Sequence, residues 1–262
     1  MYKLLSSIIV LLLAGGLNLN AQIEKSGTKT VGISDKAQIE EMMLIMEEIG
    51  SSSKELLREQ SLKSYMMPNR KSLNAERSNA YVVVTCLEYY LNFNSNLKVN
   101  LSPDYLVLQK GNAFKDILDG IVLDGTVNAA LFPYGSDLLN EAANSTKKYN
   151  AENYLHLFRS DIGGRQKIFE LRKAIMRGNP VMVDLKVDPS FMDLSNTGSW
   201  SFSGKAFDVL QPVIVTGYSE EKKAFEVTGM YGNDWARDGY VWIPYDEMGK
   251  LAQNGYVLVV QR

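Results

Sequence analysis

Glu76-Arg77-Ser78-Asn79-Ala80-Tyr81-Val82-Val83-Val84-Thr85-Cys86-Leu87-Glu88-Tyr89-Tyr90 is the stretch on which the reading of this chain turns. From Ala80 onward its apolar and aromatic side chains are interrupted only by Thr85 and Glu88. A helix that is apolar nearly all round belongs inside a core. Ser78 stands at the start of this helix as its N-cap, with a hydroxyl that can accept from the first turn. Cys86 is the only cysteine, so no internal disulfide forms, and its thiol reads as a small buried hydrophobe.

Working outward, Ser61-Leu62-Lys63-Ser64-Tyr65 precedes Pro68, and Leu101-Ser102-Pro103-Asp104-Tyr105-Leu106 opens a helix after a loop. Phe114–Leu123 has the spacing of an amphipathic helix, and Leu131-Phe132-Pro133-Tyr134 follows it. Residues 168–177 repeat the helical spacing and stop at Gly178-Asn179-Pro180. Beyond Pro180 the pattern changes to strands. Val181–Val187 alternates, 209–218 and Ala224–Thr228 flank a charged turn at 219–223, and 239–245 and 256–260 add two more. Residues 109–111 and 198–204 read as loops near a rim between the two halves.

These segments together resemble the papain family of cysteine peptidases, nearly continuously over 61–262. In that family a Gly-Ser-Cys-Trp-Ala-Phe turn runs into a buried helix that closes on an apolar-Glu pair. Here Asn79-Ala80-Tyr81 take the place of Trp-Ala-Phe, and Leu87-Glu88 that of the closing pair. The resemblance implies an α+β, two-lobed fold, with a helical lobe at about 61–165 and a β-rich lobe at about 166–262 around a groove.

Peptide hydrolysis by the family's route uses a thiolate, a histidine base, a residue that orients the histidine and a glutamine that donates to the oxyanion. The matched nucleophile position is Ser78, and the glutamine six residues earlier falls on Ser72. The histidine position falls on Gln211, at the head of Gln211-Pro212-Val213-Ile214-Val215-Thr216-Gly217-Tyr218. The orienting asparagine of the family's Asn-Ser-Trp-Gly turn becomes Gly229 in Gly229-Met230-Tyr231-Gly232. An amide has no titratable proton near neutral pH and is no general base. All four positions depart from the family pattern, so the resemblance implies a scaffold without its peptidase chemistry. His156, the one histidine, reads as structural, and Asp208 as a solvated loop carboxylate.

The remaining features bound the functional class. Twenty-eight basic and 30 acidic residues leave no nucleic-acid footprint. Residues 1–21 are expected to be a signal peptide, with Lys3 followed by an apolar run and a cut after Ala21. Export to the periplasm, outer-membrane surface or exterior follows, with no membrane span after signal removal. Residues 22–60 read as a tether and a helical extension. In that extension Ser34 or Asp35 caps a helix carrying Ile39, Met42, Met43, Met46 and Ile49, ended by Gly50. Ser52 with Glu55 has capping-box spacing for a second short helix through Leu56 and Leu57. No His/Cys/Asp/Glu cluster has metal-ligand spacing and no glycine-rich phosphate loop is present, so neither metal nor cofactor is expected.

The expectation is an exported, catalytically inactive papain-like protein that binds a protein partner or builds a cell-envelope or secreted assembly. Tyr231, Asn79, Gly111 and Trp235 are its candidate groove contacts. The alternatives are a hydrolase using Ser78 as nucleophile, and an inhibitor or decoy of an active relative.

Overall fold

The computed structural model describes residues 30–53, 55–95, 98–204 and 209–261. The expected signal peptide, most of the tether and Asp208 lie outside the described residues. In chain order the elements are α1 (Lys36–Met42), β1 (Glu59–Ser61), α2 (Ser78–Ser95), α3 (Pro103–Lys110), α4 (Phe114–Leu123) and α5 (Glu141–Ser145). They continue with β2 (Asn153–Phe158), α6 (Gly164–Met176), β3 (Val181–Val187), α7 (Pro189–Met192), β4 (Val209–Ser219) and β5 (Ala224–Thr228). The chain closes with β6 (Tyr240–Pro244), α8 (Tyr245–Leu251) and β7 (Ala252–Val259).

Helix α2 is the axle of the helical half. Every residue from Ala80 to Tyr90 is buried, and the helix packs on α3, α4 and β4. Its two adjacent tyrosines reach the stop after α6. Tyr89 donates to the Gly178 carbonyl at 2.8 Å and Tyr90 to Asn179 Oδ1 at 3.0 Å, so each buried hydroxyl has an acceptor. Ser78 does not cap this helix. A 3-10 turn, Ala75–Arg77, leads straight into it, Ser78 is already helical, and Asn74 is the capping residue, accepting from Glu76 N at 2.9 Å.

The sheet is antiparallel throughout, in the order β2-β7-β3-β4-β5-β6, with β1 added alongside β4. One face carries Val183, Leu185, Val213, Val215, Val227, Val241 and Val257, all fully buried. Strand β2 lies before residue 166 yet belongs to the sheet, pairing with β7. Gly217 lets β1 approach, because a Cβ there would stand 2.8 Å from the Gln60 carbonyl.

The extension departs from its expected form. Asp35 caps α1 by accepting from Gln38 N at 3.0 Å, but the helix ends at Met42, not Ile49. The backbone beyond it is drawn to the end of α6: Met46 N donates to Arg177 O at 2.9 Å and Ser51 N to Met176 O at 2.8 Å. Asn179 Nδ2 reaches Leu44 O at 2.7 Å. Tertiary hydrogen bonds thus replace the helical ones while Met43 and Met46 stay buried. The capping box at Ser52 forms no helix. Short serine turns stand there instead, with Ser53 N on Ser51 Oγ and Glu55 N on Ser53 Oγ, both at 3.2 Å, before β1 begins. Residues 31–60 are therefore integral to the unit Val31–Arg262, with Ile33 also bridging to Leu155 of β2.

Candidate functional site at the matched catalytic positions

The segment carrying Ser72 is fixed from both sides. Asn69 Nδ2 donates to Thr228 Oγ1 at 2.6 Å and to the Gly239 carbonyl at 2.7 Å. Ser72 N donates to Met230 O at 2.9 Å and Gly232 N to Arg70 O at 3.2 Å, so 70–72 runs antiparallel beside 230–232. The Ser72 hydroxyl turns back onto Asn74 O at 2.6 Å, a local bond that leaves no long side-chain donor at this position.

Below it Arg70 enters the helical lobe. Its guanidinium forms an ion pair with Glu88 and donates to Tyr134 OH at 2.8 Å and Thr85 Oγ1 at 3.1 Å. Glu88, fully buried, accepts from Leu101 N at 2.6 Å through its other oxygen. Burial pushes the Glu88 carboxyl up to about 7 while Arg70 and the Leu101 amide pull it down. Just before α2 begins, Arg77 meets buried Asp104 at 2.7 Å, and Asp104 also accepts from Tyr81 OH and Gly135 N, both at 3.0 Å.

Gln211, Gly229 and Tyr231 do come together. The Tyr231 hydroxyl donates to Gln211 Oε1 at 2.9 Å, and Gln211 Nε2 points at Met192 Sδ, 3.8 Å away. The Tyr231 ring stacks on Trp235 with centroids 4.9 Å apart and meets Phe191 edge-on at 6.0 Å. That ring lies over Gly229, where a Cβ would sit 2.6 Å from it. An asparagine at 229 and the tyrosine ring in this place exclude one another. Burial raises the Tyr231 phenol well above its ordinary range, so it stays a neutral donor.

Ser78 is only 9% exposed, and among the described residues its hydroxyl makes no hydrogen bond to a carboxylate, imidazole or amine. The next residue, Asn79, donates to Asn112 O at 2.7 Å, which sets it beside Gly111, a left-handed residue (φ 84°) with open space where a Cβ would be. Trp235 is not a groove contact. It is 4% exposed, and its indole donates to Phe191 O at 2.7 Å inside the aromatic cluster. Gln109 belongs to α3 rather than a loop, and 198–204 runs along β6 and α8, with Trp200 N on Trp242 O at 3.0 Å and Phe202 N on Glu247 Oε2 at 2.8 Å.

His156 sits in β2, stacked on Tyr256 with centroids 4.5 Å apart. Its Nε2 lies 3.2 Å from Asn254 Oδ1, whose amide donates to Asp184 at 3.2 Å. Burial lowers the imidazole's pKa and pushes Asp184 up to about 6. Among the described residues no group of three His, Cys, Asp or Glu side chains is placed to hold a metal ion. Sequence reasoning passed over Phe191, Met192, Arg70 and Asp104. Only Arg70, a cation two residues before Ser72, and the helix-closing Glu88 left a readable trace.

No family model and no curated protein matches the chain. Solved structures do. The digestive procathepsin L 3 of the Tenebrio molitor larval midgut superposes with a TM-score of 0.66 at 16% identity, covering 84% of this chain and 76% of that one. The fold is papain-like. Xylellain, a cysteine protease from Xylella fastidiosa, matches this papain-like fold with a TM-score of 0.64 at 16% identity over 89% of this chain and 97% of its own. The bromelain protease from Ananas comosus gives 0.62 and 16%, over 79% of this chain and all of its own. At such identities the likeness is one of papain-like architecture, with helices beside an antiparallel sheet.

Proposed function

We propose that this chain is an exported papain-like protein without peptidase activity that serves as a protein-binding or structural subunit of a cell-envelope or secreted assembly. The observation that carries this reading is the Tyr231 ring, which takes the space above Gly229 and ties its hydroxyl to Gln211. A base and its orienting partner are replaced by an amide held by a phenol, neither of which exchanges protons near neutral pH. Ser78, without a hydrogen-bonded base, lacks what a serine nucleophile needs, which counts against the hydrolase alternative.

The test has two arms. The purified chain is assayed on unfolded protein and peptide substrates from acid to neutral pH, where no turnover is expected. Turnover that vanishes in Ser78→Ala overturns the inactive reading. The double variant Ser78→Cys with Gln211→His is expected to stay at least about a hundredfold below an active relative, since Ser72 supplies no oxyanion donor. For the binding role, Leu210→Asp alters a half-exposed side chain next to Gln211, and Leu123→Asp serves as a distant control. Partner recovery from the native envelope should fall in the first variant alone, at unchanged melting temperature. Equal recovery in both places the interface elsewhere.

A further inference from the structure

The outer face of the β5–β6 hairpin holds a second, separate feature. Ala224, Glu226 and Thr228 of β5 pair across from Pro244, Trp242 and Tyr240 of β6, which puts these six on the face opposite buried Phe225, Val227, Val241 and Ile243. A cavity of about 700 Å³ opens over that face, within the range of small-molecule sites. Lys63 Nζ stands 4.1 Å from the centre of the Tyr240 ring, and Lys222 Nζ 4.3 Å from that of Trp242. Arg237 completes the rim beside Gly198.

None of these three cations has a carboxylate within ion-pair reach among the described residues, whereas Arg70, Arg77, Lys110, Lys115, Arg172, Lys173 and Arg177 all do. Two carboxylates share the cavity. Glu226 lies at its buried end and accepts from Ser61 Oγ at 2.7 Å, and Asp238 stands on the rim. The outer backbone edge of β6 is already used: Trp242 N donates to Gly198 O at 2.9 Å, Trp200 N to Trp242 O at 3.0 Å, and Arg237 and Tyr240 exchange a pair of bonds.

We propose that this face binds an acidic oligosaccharide, a chain of pyranose rings bearing carboxylates. Each part of the face answers one part of such a ligand. Side chains two apart on one strand are about 7 Å apart, so Tyr240 and Trp242 offer two ring faces along one line. Lys63, Lys222 and Arg237 supply unpaired cations for the carboxylates, the lysines leaving the ring faces to meet them. Glu226 and Asp238 would repel a bare polyanion, but they accept from sugar hydroxyls. An extended acidic peptide fits less well, because the strand edge that would pair with its backbone is closed. The site is independent of the reading given above for the matched catalytic positions.

Tetragalacturonate, an alginate tetramer and a hyaluronan tetrasaccharide, each titrated calorimetrically into the purified chain, test this. At least one should bind saturably below ~1 mM, and a neutral galactose tetramer at least about tenfold more weakly. Raising salt from about 0.05 to about 0.5 M should weaken the acidic sugar. Lys222→Gln, on an exposed turn, and Trp242→Ala should each cost about tenfold in affinity, with melting temperature recorded for both. No saturable binding by any of the three overturns the proposal, as does unchanged affinity in Lys222→Gln. A tetraglutamate peptide that binds as tightly as the best sugar also overturns it and makes an acidic peptide the ligand.

Discussion

Helix α2 is held by charge where the cluster around Tyr231 is held by rings. Near its C-terminal half a fully buried carboxylate, Glu88, is matched by the Arg70 guanidinium and the Leu101 amide, and Arg70 is in turn held by Thr85 and Tyr134. At its N-terminus Arg77 pairs with buried Asp104, but the Ser78 hydroxyl, at the matched nucleophile position, makes no hydrogen bond to an acid or base among the described residues. Buried charge is costly unless paired and hydrogen-bonded, so a chain holds it only where its surroundings satisfy it. Here the polar network ties together 70–72, α2, Leu101 and Tyr134, while Gln211 and Gly229 are covered by an aromatic cluster. The difference teaches that one scaffold supports its joints with charge and the groups around Gln211 and Gly229 with rings.

The sharpest way to break this comparison is Arg70→Ala, which leaves Glu88 buried without its counter-charge. The expected loss is about 3–5 kcal/mol, on the order of 10 °C in melting temperature. A loss below about 1 kcal/mol would mean the joint is not held by charge. In the ring cluster, Gly229→Ala should cost about 1–3 kcal/mol because its methyl meets the Tyr231 ring. In a Tyr231→Ala background that cost should largely disappear, a coupling of at least about 1 kcal/mol in a double-mutant cycle. Strict additivity would separate the two residues.

The smallest effect lies on the sheet, where Asp184 shares its polar row with Asn254 and His156, and Lys186 follows two residues on along β3. Its carboxyl is pushed up to about 6 by burial, against an ordinary 3.8. Between those two values the folded protein holds a proton that the unfolded chain releases. Stability therefore falls as pH rises through that window, and the loss is complete above about 6. Urea unfolding at the two ends of the window should show a drop that is smaller by on the order of 1–2 kcal/mol in Asp184→Asn, with Glu88, also raised, supplying slope that remains. An unchanged slope in the variant would place the titrating group elsewhere.

Much of this architecture was legible because local and tertiary preferences agree. Phe114–Leu123 and Val181–Val187 form between the residues their patterns indicate, and the 219–223 turn joins β4 to β5. The readings failed where distant groups outbid local ones. Residues 43–49 have a helical pattern, but the α6 end takes backbone hydrogen bonds of Leu44 and Met46. Ser78 looks like a cap until the 3-10 turn before it moves the helix start back to Asn74. At the matched catalytic positions the sequence names Gln211, Gly229 and Tyr231 separately. Their mutual dependence, a ring over a glycine and a hydroxyl on an amide, exists only in three dimensions. Helix α8, seven residues between two strands, has too short a repeat to announce itself.

The strand order carries a consequence in time. Of the described strands the last in sequence, β7, lies between β2 and β3 and pairs with both. Until its residues are in place, β2 is cut off from the other five strands. β1, among the first segments to emerge, likewise waits for β4, some 150 residues later. Such long-range closure makes folding slow and late. The sheet therefore cannot be complete before Ala252–Val259 are in place, and until then the helices have no finished surface to rest on.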